Sequence, residues 1–228
     1  MAMRGPKAKL ALRVLLLFAA SPLSGCVYIS RHTLPGACAD DLGSPIRNFC
    51  VVSPGVLWRA EAPSRPDAQW LVDHGVGTVI SLGLDVRHSF EKAHPRSGSV
   101  HSVVYYRIAN FSALQVLTHR HLDEHVAQVL GIIEKAPKPV LISCRAGVDR
   151  TGMIAAAYRV LVQGMSMQKA IAEMDGFHSP WGPLNGRYVR SLTGARKRMI
   201  LSAARNWQSL APNGRFECRA GACRFVAH

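Results

Sequence analysis

Residues 139–164 read PVLISCRAGVDRTGMIAAAYRVLVQG, and this stretch narrows the folds open to the chain more than any other. Pro139 to Cys144 is a β-rich apolar run suited to a central strand buried on both faces. From Thr151 the residues have strong helix propensity, and Gly164 stops the run. Between strand and helix lies CRAGVDR, Cys144 to Arg150. A loop that binds a phosphoryl group needs inward backbone N–H groups, a glycine for an unusual turn, and a helix N-terminus facing the anion. This segment has all three elements. A second stretch with the same cysteine–arginine spacing, CRAGACR from Cys218 to Arg224, has no convincing strand before it, and the chain ends at His228. Its two cysteines look like disulfide partners, so only the first stretch is a candidate phosphate loop.

The rest of the chain alternates in the same way. Val56–Ala60 and Thr78–Gly83 read as strands, Pro66–His74 as a helix, and Val103–Ala109 as a third strand. Residues 84–99 are polar and irregular, with room for one helical turn. Thr118 can cap a long helix through Lys135, with Leu122, Val126, Val129, Leu130 and Ile133 along one face. Ser166 caps another through Met174, and residues 187–207 are expected to form one last basic helix. Strands alternating with helices imply an α/β class fold, a mainly parallel central sheet flanked by helices. The expected organisation is a signal peptide at 1–25, a tether at 26–50, the domain at 51–207 and a C-terminal cysteine-containing tail at 208–228.

Arg4, Lys7, Lys9 and Arg13 precede the apolar run Val14–Ala20, which is too short to span a bilayer and reads as an export signal. It ends in LSGC, Leu23 to Cys26, which resembles the lipobox of bacterial lipoproteins and marks Cys26 for lipidation and membrane anchoring. Val27, rather than aspartate, points to the outer membrane, with the protein on its periplasmic face. The whole chain carries 28 basic and 14 acidic side chains. Removing residues 1–25 takes away four positive charges and no negative ones, so the basic character survives and favours anionic partners. An exported protein without a recognised binding module is not expected to bind nucleic acid, and RYVRSLTGARKR (Arg187–Arg198) reads as a solvated helix face, or one drawn to anionic headgroups. In an oxidising compartment Cys38, Cys50, Cys218 and Cys223 are disulfide candidates with three possible connectivities, of which local pairing is the simplest. Cys144 is the thiol left over.

PVLISCRAGVDRTG (Pro139–Gly152) resembles the C-x5-R loop followed by Thr-Gly of protein tyrosine and dual-specificity phosphatases. LWRAEAP (Leu57–Pro63), VISLG before a variable loop, and GMSMQKAIAEMDGFH (Gly164–His178) resemble segments of small bacterial members. The resemblance covers residues 50–200. It implies that Cys144 attacks phosphorus as a thiolate, that Arg150 holds two non-bridging oxygens, and that backbone N–H groups of Arg145, Ala146, Gly147, Val148, Asp149 and Arg150 bind the remainder. Thr151 would ease departure of the sulfur, and neither cofactor nor metal is needed. Such phosphatases usually draw a proton donor from the loop after the strand matching Val103–Ala109, yet no carboxylate occurs from Arg107 through Leu117. Asp149 is the expected substitute, because a carboxylate directly before the arginine recurs in myotubularin lipid phosphatases and some secreted bacterial tyrosine phosphatases. Its other reading is a residue that only positions Arg150 or a loop amide. Asp85 is the alternative acid. Ser143 stands where the family usually has histidine.

HRHLDEH, His119 to His125, approximates a metallo-hydrolase ligand set but has one residue too many and opens a helix, so it reads as a solvated face. The function expected is hydrolysis of phosphate monoesters through a cysteinyl-phosphate. The substrate is a phosphorylated protein, with phosphorylated lipid, lipopolysaccharide, sugar or inositol phosphate as alternatives. A non-catalytic phosphate-binding lipoprotein is the rival from another class.

Overall fold

The computed structural model describes residues 38–94, 101–108, 120–207, 211–219 and 221–228. The expected signal peptide, Cys26, the first part of the tether, Thr118 and residues 109–117 lie outside the described residues. Among the described residues the strands are β1 (Cys50–Ser53), β2 (Leu57–Glu61), β3 (Thr78–Ser81), β4 (His101–Arg107), β5 (Val140–Cys144), β6 (Gly214–Arg219) and β7 (Ala222–Ala227). The helices are α1 (Arg65–Asp73), α2 (Arg87–Glu91), α3 (Arg120–Lys135), α4 (Asp149–Leu161), α5 (Met167–Asp175), α6 (Gly182–Arg190) and α7 (Gly194–Arg205). None of these helices is long and apolar enough to cross a membrane.

The strands form one sheet in the order β1-β2-β5-β3-β4-β6-β7. Its centre, β2-β5-β3-β4, is parallel, as expected; β1 at one edge and β6 and β7 at the other pair antiparallel, so the α/β sheet is mixed. All five residues of β5 are buried because helices or loops cover both faces there. Side chains alternate along that strand. Val140, Ile142 and Cys144 join the core beneath α3 and α4, whereas Leu141 joins the core on the opposite face with Ala68, Leu71 and Phe90. Parallel register sets Glu61 of β2 level with Cys144 and Ser81 of β3 level with Ser143. The carboxyl edge of the parallel centre therefore carries Cys144 between two flanking strand ends. This is the edge at which open α/β sheets bind ligands.

Helix α4 is buried almost all round, and Ala155, Ala156 and Ala157 let its backbone lie close to the sheet and to α3, α5 and α6. Ser166 caps α5 by accepting a hydrogen bond from the Lys169 N–H at 3.3 Å, as its sequence suggests.

Three expectations need correction. The single helix at 187–207 is two, α6 and α7, broken over Ser191–Thr193. Gly194 there adopts φ +50°, and Leu192 turns inward to be buried at 1% exposure. The tail at 208–228 is a hairpin, β6 and β7, closed by a Cys218–Cys223 disulfide and paired with β4. Its inward face places Phe216 between Phe90 and Phe225, with ring centroids 4.9 and 5.1 Å away. The last part of the tether is also no free linker. Ile46 and Phe49 are buried, and a second disulfide joins Cys38 to Cys50. Both bonds follow the local pairing, and among the described residues Cys144 is the cysteine left outside a disulfide.

If the hairpin is core rather than tail, Phe216→Ala should destabilise the protein by about 3–5 kcal/mol, the range for deleting a buried aromatic ring, read as a lowered midpoint in denaturant melts. A loss under about 1 kcal/mol would return the segment to the status of an appendage.

Candidate active site

The loop from Cys144 to Arg150 crosses from the end of β5 into the first turn of α4, which begins at Asp149. Gly147 makes the reversal with φ +68°, and its N–H donates to the Cys144 carbonyl at 3.2 Å. No other residue fits there, because a Cβ at 147 would collide with the backbone of Ala60 and Glu61 on β2.

Two side chains grip the loop from outside. The Arg59 Nη2 donates to the Gly147 carbonyl at 2.7 Å, and the Asn48 Nδ2 donates to the Ala146 carbonyl at 2.8 Å. In a planar trans peptide the N–H opposes the C=O. Drawing the Gly147 carbonyl toward Arg59 therefore aims the Val148 N–H away from it, toward the concave side. Neither Arg59 nor Asn48 was singled out in the sequence. The available signal for Arg59 was a charged residue inside the otherwise apolar run VLWRA; Asn48 gave none.

Arg59 is 1% exposed. Burial pulls its pKa down to about 10, opposed by the charges of Glu173 and Cys144. It therefore stays cationic at neutral pH, with its guanidinium 3.5 Å from the Phe177 ring centroid. A fixed cation near Cys144 favours the thiolate, and so does the α4 N-terminus beside it. These two features supply positive potential where the family's usual histidine is replaced by Ser143, whose buried hydroxyl has no hydrogen-bond partner among the described residues.

Cys144 itself is buried, Arg150 is partly exposed and Arg145 exposed. One arm of the Arg150 guanidinium is anchored by donating to the Leu82 carbonyl at 2.6 Å. Gly83 (φ +109°) makes room for it, since a Cβ there would overlap Arg150 Nη1. The glycine of VISLG thus has a defined task. Thr151 is fully buried, and its hydroxyl has no hydrogen-bond partner among the described residues, one residue after Arg150.

The two carboxylates considered as acids differ. Asp149 is 2% exposed and accepts a hydrogen bond from the Ser179 hydroxyl, which in turn accepts from the Trp181 N–H at 3.1 Å. Asp85 is bound by Arg87 through Nε and Nη2 at 2.8 and 2.6 Å, and that hydrogen bond holds its carboxyl below the usual range despite some burial. In the HRHLDEH segment, Asp123 is taken by Arg196 at 2.8 Å and by the Tyr188 hydroxyl at 2.9 Å. Among the described residues no group of three His, Cys, Asp or Glu side chains is placed to hold a metal ion.

A cysteine outside both disulfides that closes a central parallel strand, followed after a glycine turn by an arginine on a helix N-terminus, defines a cysteine-dependent C-x5-R phosphatase. Comparison with known proteins agrees. A family model described as "DSP-PTPase phosphatase fused to NAD+ Kinase" matches residues 51–180, and the chain belongs to this family. The dual specificity protein phosphatase TpbA of Pseudomonas aeruginosa (strain UCBPP-PA14) is 29% identical over 174 residues, 75% of this chain and 73% of that protein. A crystal structure of P. aeruginosa TpbA is similar with a TM-score of 0.57 at 30% identity, covering 75% of this chain and 98% of the other. That of a TpbA variant in complex with pTyr gives the same TM-score and coverage at 29% identity.

Two glycines should separate by phenotype. Gly147→Ala strikes backbone in a left-handed turn and should cost about 1–3 kcal/mol of stability as well as activity. Gly83→Ala meets only the movable end of Arg150, so its melting temperature should change less while kcat/KM on an aryl phosphate falls by up to about 100-fold through misplacement of the guanidinium. Asp85 makes a separate forecast. An acid must be protonated to serve, and activity falls as pH rises through its pKa; the hydrogen bonds from Arg87 hold the Asp85 carboxyl below the usual carboxylate range, which favours its ionised form and works against a role as acid. The basic limb of the kcat–pH profile should therefore be the same in Asp85→Asn as in the parent.

Proposed function

We propose that the chain hydrolyses phosphate monoesters through a cysteinyl-phosphate on Cys144. The observation that carries this reading is the geometry of one loop. Cys144 closes β5 directly before the turn that opens α4, Arg150 in the first turn of that helix has one arm of its guanidinium anchored on the Leu82 carbonyl, and the Ala146 and Gly147 carbonyls are held by Asn48 and Arg59. The thiolate attacks phosphorus and the ester oxygen departs; water then attacks the phosphoenzyme, releasing phosphate and the thiolate. Arg150 and the amides of residues 145–150 stabilise the trigonal phosphoryl group in both transfers. Thr151, one residue after Arg150, is assigned to the sulfur as it leaves.

Asp149 is the proton donor in this reading, being the carboxyl built into the loop. The Ser179 hydroxyl bonded to it supports a second reading, in which Asp149 ties the loop to the turn at residues 179–181 rather than donating a proton. Phosphotyrosyl protein is the preferred substrate, supported by likeness to TpbA, whose variant was crystallised with pTyr. Phosphorylated lipid, lipopolysaccharide, sugar or inositol phosphate remain alternative substrates of the same chemistry. Two disulfides among the described residues support the proposed export to the periplasmic side, with Cys26 as the lipid anchor at the outer membrane.

Cys144→Ser should abolish turnover of an aryl phosphate yet retain phosphate binding; undiminished turnover would end the proposal, and loss of phosphate binding would remove Cys144 from the anion site. Asp149→Asn decides between the two readings of the acid. As proton donor it should slow alkyl phosphates by about 100-fold or more while sparing good aryl leaving groups. Equal slowing of both assigns Asp149 to positioning.

A further inference from the structure

The N-terminal segment reaches the phosphate loop by a route that the phosphatase reading does not require. Asn48 adopts φ +55°, a left-handed conformation that asparagine tolerates better than most residues, and this turn directs its amide to the Ala146 carbonyl 98 positions away. The segment is clasped on both sides of Asn48. On one side the Glu61 N–H donates to the Arg47 carbonyl at 3.0 Å, and Arg47 Nη1 lies 3.5 Å from Glu61 Oε2. On the other, Cys50 begins β1 and is bonded to Cys38, while the Val51 N–H donates to the Asp40 carbonyl at 2.9 Å. The disulfide does more than close a surface turn. Cys50 packs in one apolar cluster with Val148 of the phosphate loop and Phe177, and Cys38 and Ala146 border that cluster. Phe177 in turn faces the Arg59 guanidinium that holds the Gly147 carbonyl.

We infer that Asn48 is a positioning residue for the phosphate loop and that the Cys38–Cys50 disulfide acts through it, so that full catalytic power requires the oxidised staple. The reasoning is conformational. Ala146 lies at the outer rim of the loop, where its peptide is free to rotate unless its carbonyl has a partner on the protein side. Asn48 is that partner among the described residues. Asn48 itself sits in a short segment, residues 38–50, whose ordering costs entropy that the cross-link reduces by restricting the unlinked chain. Opening the disulfide frees Cys38 from the loop cluster, loosens the segment and releases the Ala146 peptide without touching Cys144 or Arg150. The inference rests on the phosphatase reading for its kinetic consequence, but the positioning of the anion site has its own readout in phosphate binding.

The test uses the mature chain with its disulfides formed. Asn48→Gly keeps the left-handed backbone and removes the donor; Asn48→Asp keeps the shape and removes the donor only while the carboxyl is ionised. Each should lower kcat/KM on an aryl phosphate at neutral pH by between about 3-fold and 10-fold, the worth of one buried hydrogen bond, and raise the Kd for inorganic phosphate by a similar factor. The Asn48→Asp deficit should narrow as pH falls and its carboxyl gains a proton to donate, whereas that of Asn48→Gly should not; a merely structural lesion predicts no such difference. Cys38→Ser/Cys50→Ser should show a deficit of the same kind, and adding Asn48→Gly to it should cost little more, because both changes release one peptide. Cys218→Ser/Cys223→Ser, at the opposite sheet edge, serves as the control for loss of a disulfide in general. Folded Asn48 variants with parental kcat/KM and phosphate affinity would overturn the inference. So would deficits of the staple and Asn48 variants that multiply independently. If the parent turns over no more substrate than Cys144→Ser, the phosphatase reading is what fails, and unchanged or weakened phosphate binding in Asn48→Gly still decides whether Asn48 positions the loop.

Discussion

The carbonyls of Ala146 and Gly147 are held by Asn48 and Arg59, and the proposed anion site depends on that hold. A four-residue bridge between a buried strand and a buried helix has many conformations of similar energy, and most would turn carbonyl dipoles toward the anion. Glycine at 147 makes the productive turn sterically allowed, and the close approach of β2 makes it obligatory. Hydrogen bonds from outside then select it. The loop is a product of its neighbours as much as of its own sequence.

Arg59 shows how the surroundings meet the cost of this arrangement. A guanidinium taken wholly out of water is unfavourable unless its donors and charge are matched. Here the Gly147 carbonyl accepts one donor, the Phe177 ring covers the cation, and Glu173 and Cys144 oppose its loss of charge; together these offset the Nε left without a hydrogen-bond partner among the described residues. Glu173 is shared with Arg159 at 3.0 Å, which links α4 to α5 behind the loop. The same buried charge that fixes the backbone therefore also biases the sulfur toward its reactive form, and geometry and electrostatics are served by one residue.

Each edge of the sheet carries a disulfide and an antiparallel addition, β1 at one side and the β6–β7 hairpin at the other. The hairpin covers the aromatic face formed by Phe90 and Tyr105, and β1 brings the Asn48 segment to the loop. The two edges thus have different relations to the site, since only the first touches the phosphate loop. Much of this was hidden in the sequence for a physical reason. The hairpin strands GRFECR and ACRFVA are runs of only six, and the pairing that joins them to the sheet is that of β6 with β4, more than 100 positions earlier. The break at Ser191–Thr193 was likewise obscured, because 187–207 is basic and helix-forming on both sides of it and its signal is brief, an extended Thr193 at the N-cap before Gly194 at φ +50° while Leu192 packs inward.

What the sequence determined by itself was local in origin. The apolar run Val140–Cys144, the glycine at 147 and the helix formers after Arg150 fix a strand, a turn and a helix in immediate succession, which is why Cys144, Arg150 and the α/β class could be read before any coordinates. Tertiary structure decided which groups surround that unit: Arg59 beneath it, Asn48 at its rim, Leu82 and Gly83 behind Arg150, Ser179 on Asp149, and Arg87 on Asp85. These contacts join residues distant in the chain through single hydrogen bonds, which leave no periodicity and no motif. Residue types and spacing encode the backbone's local preferences; the field and the grip around the sulfur exist only once the sheet has brought its strand ends together.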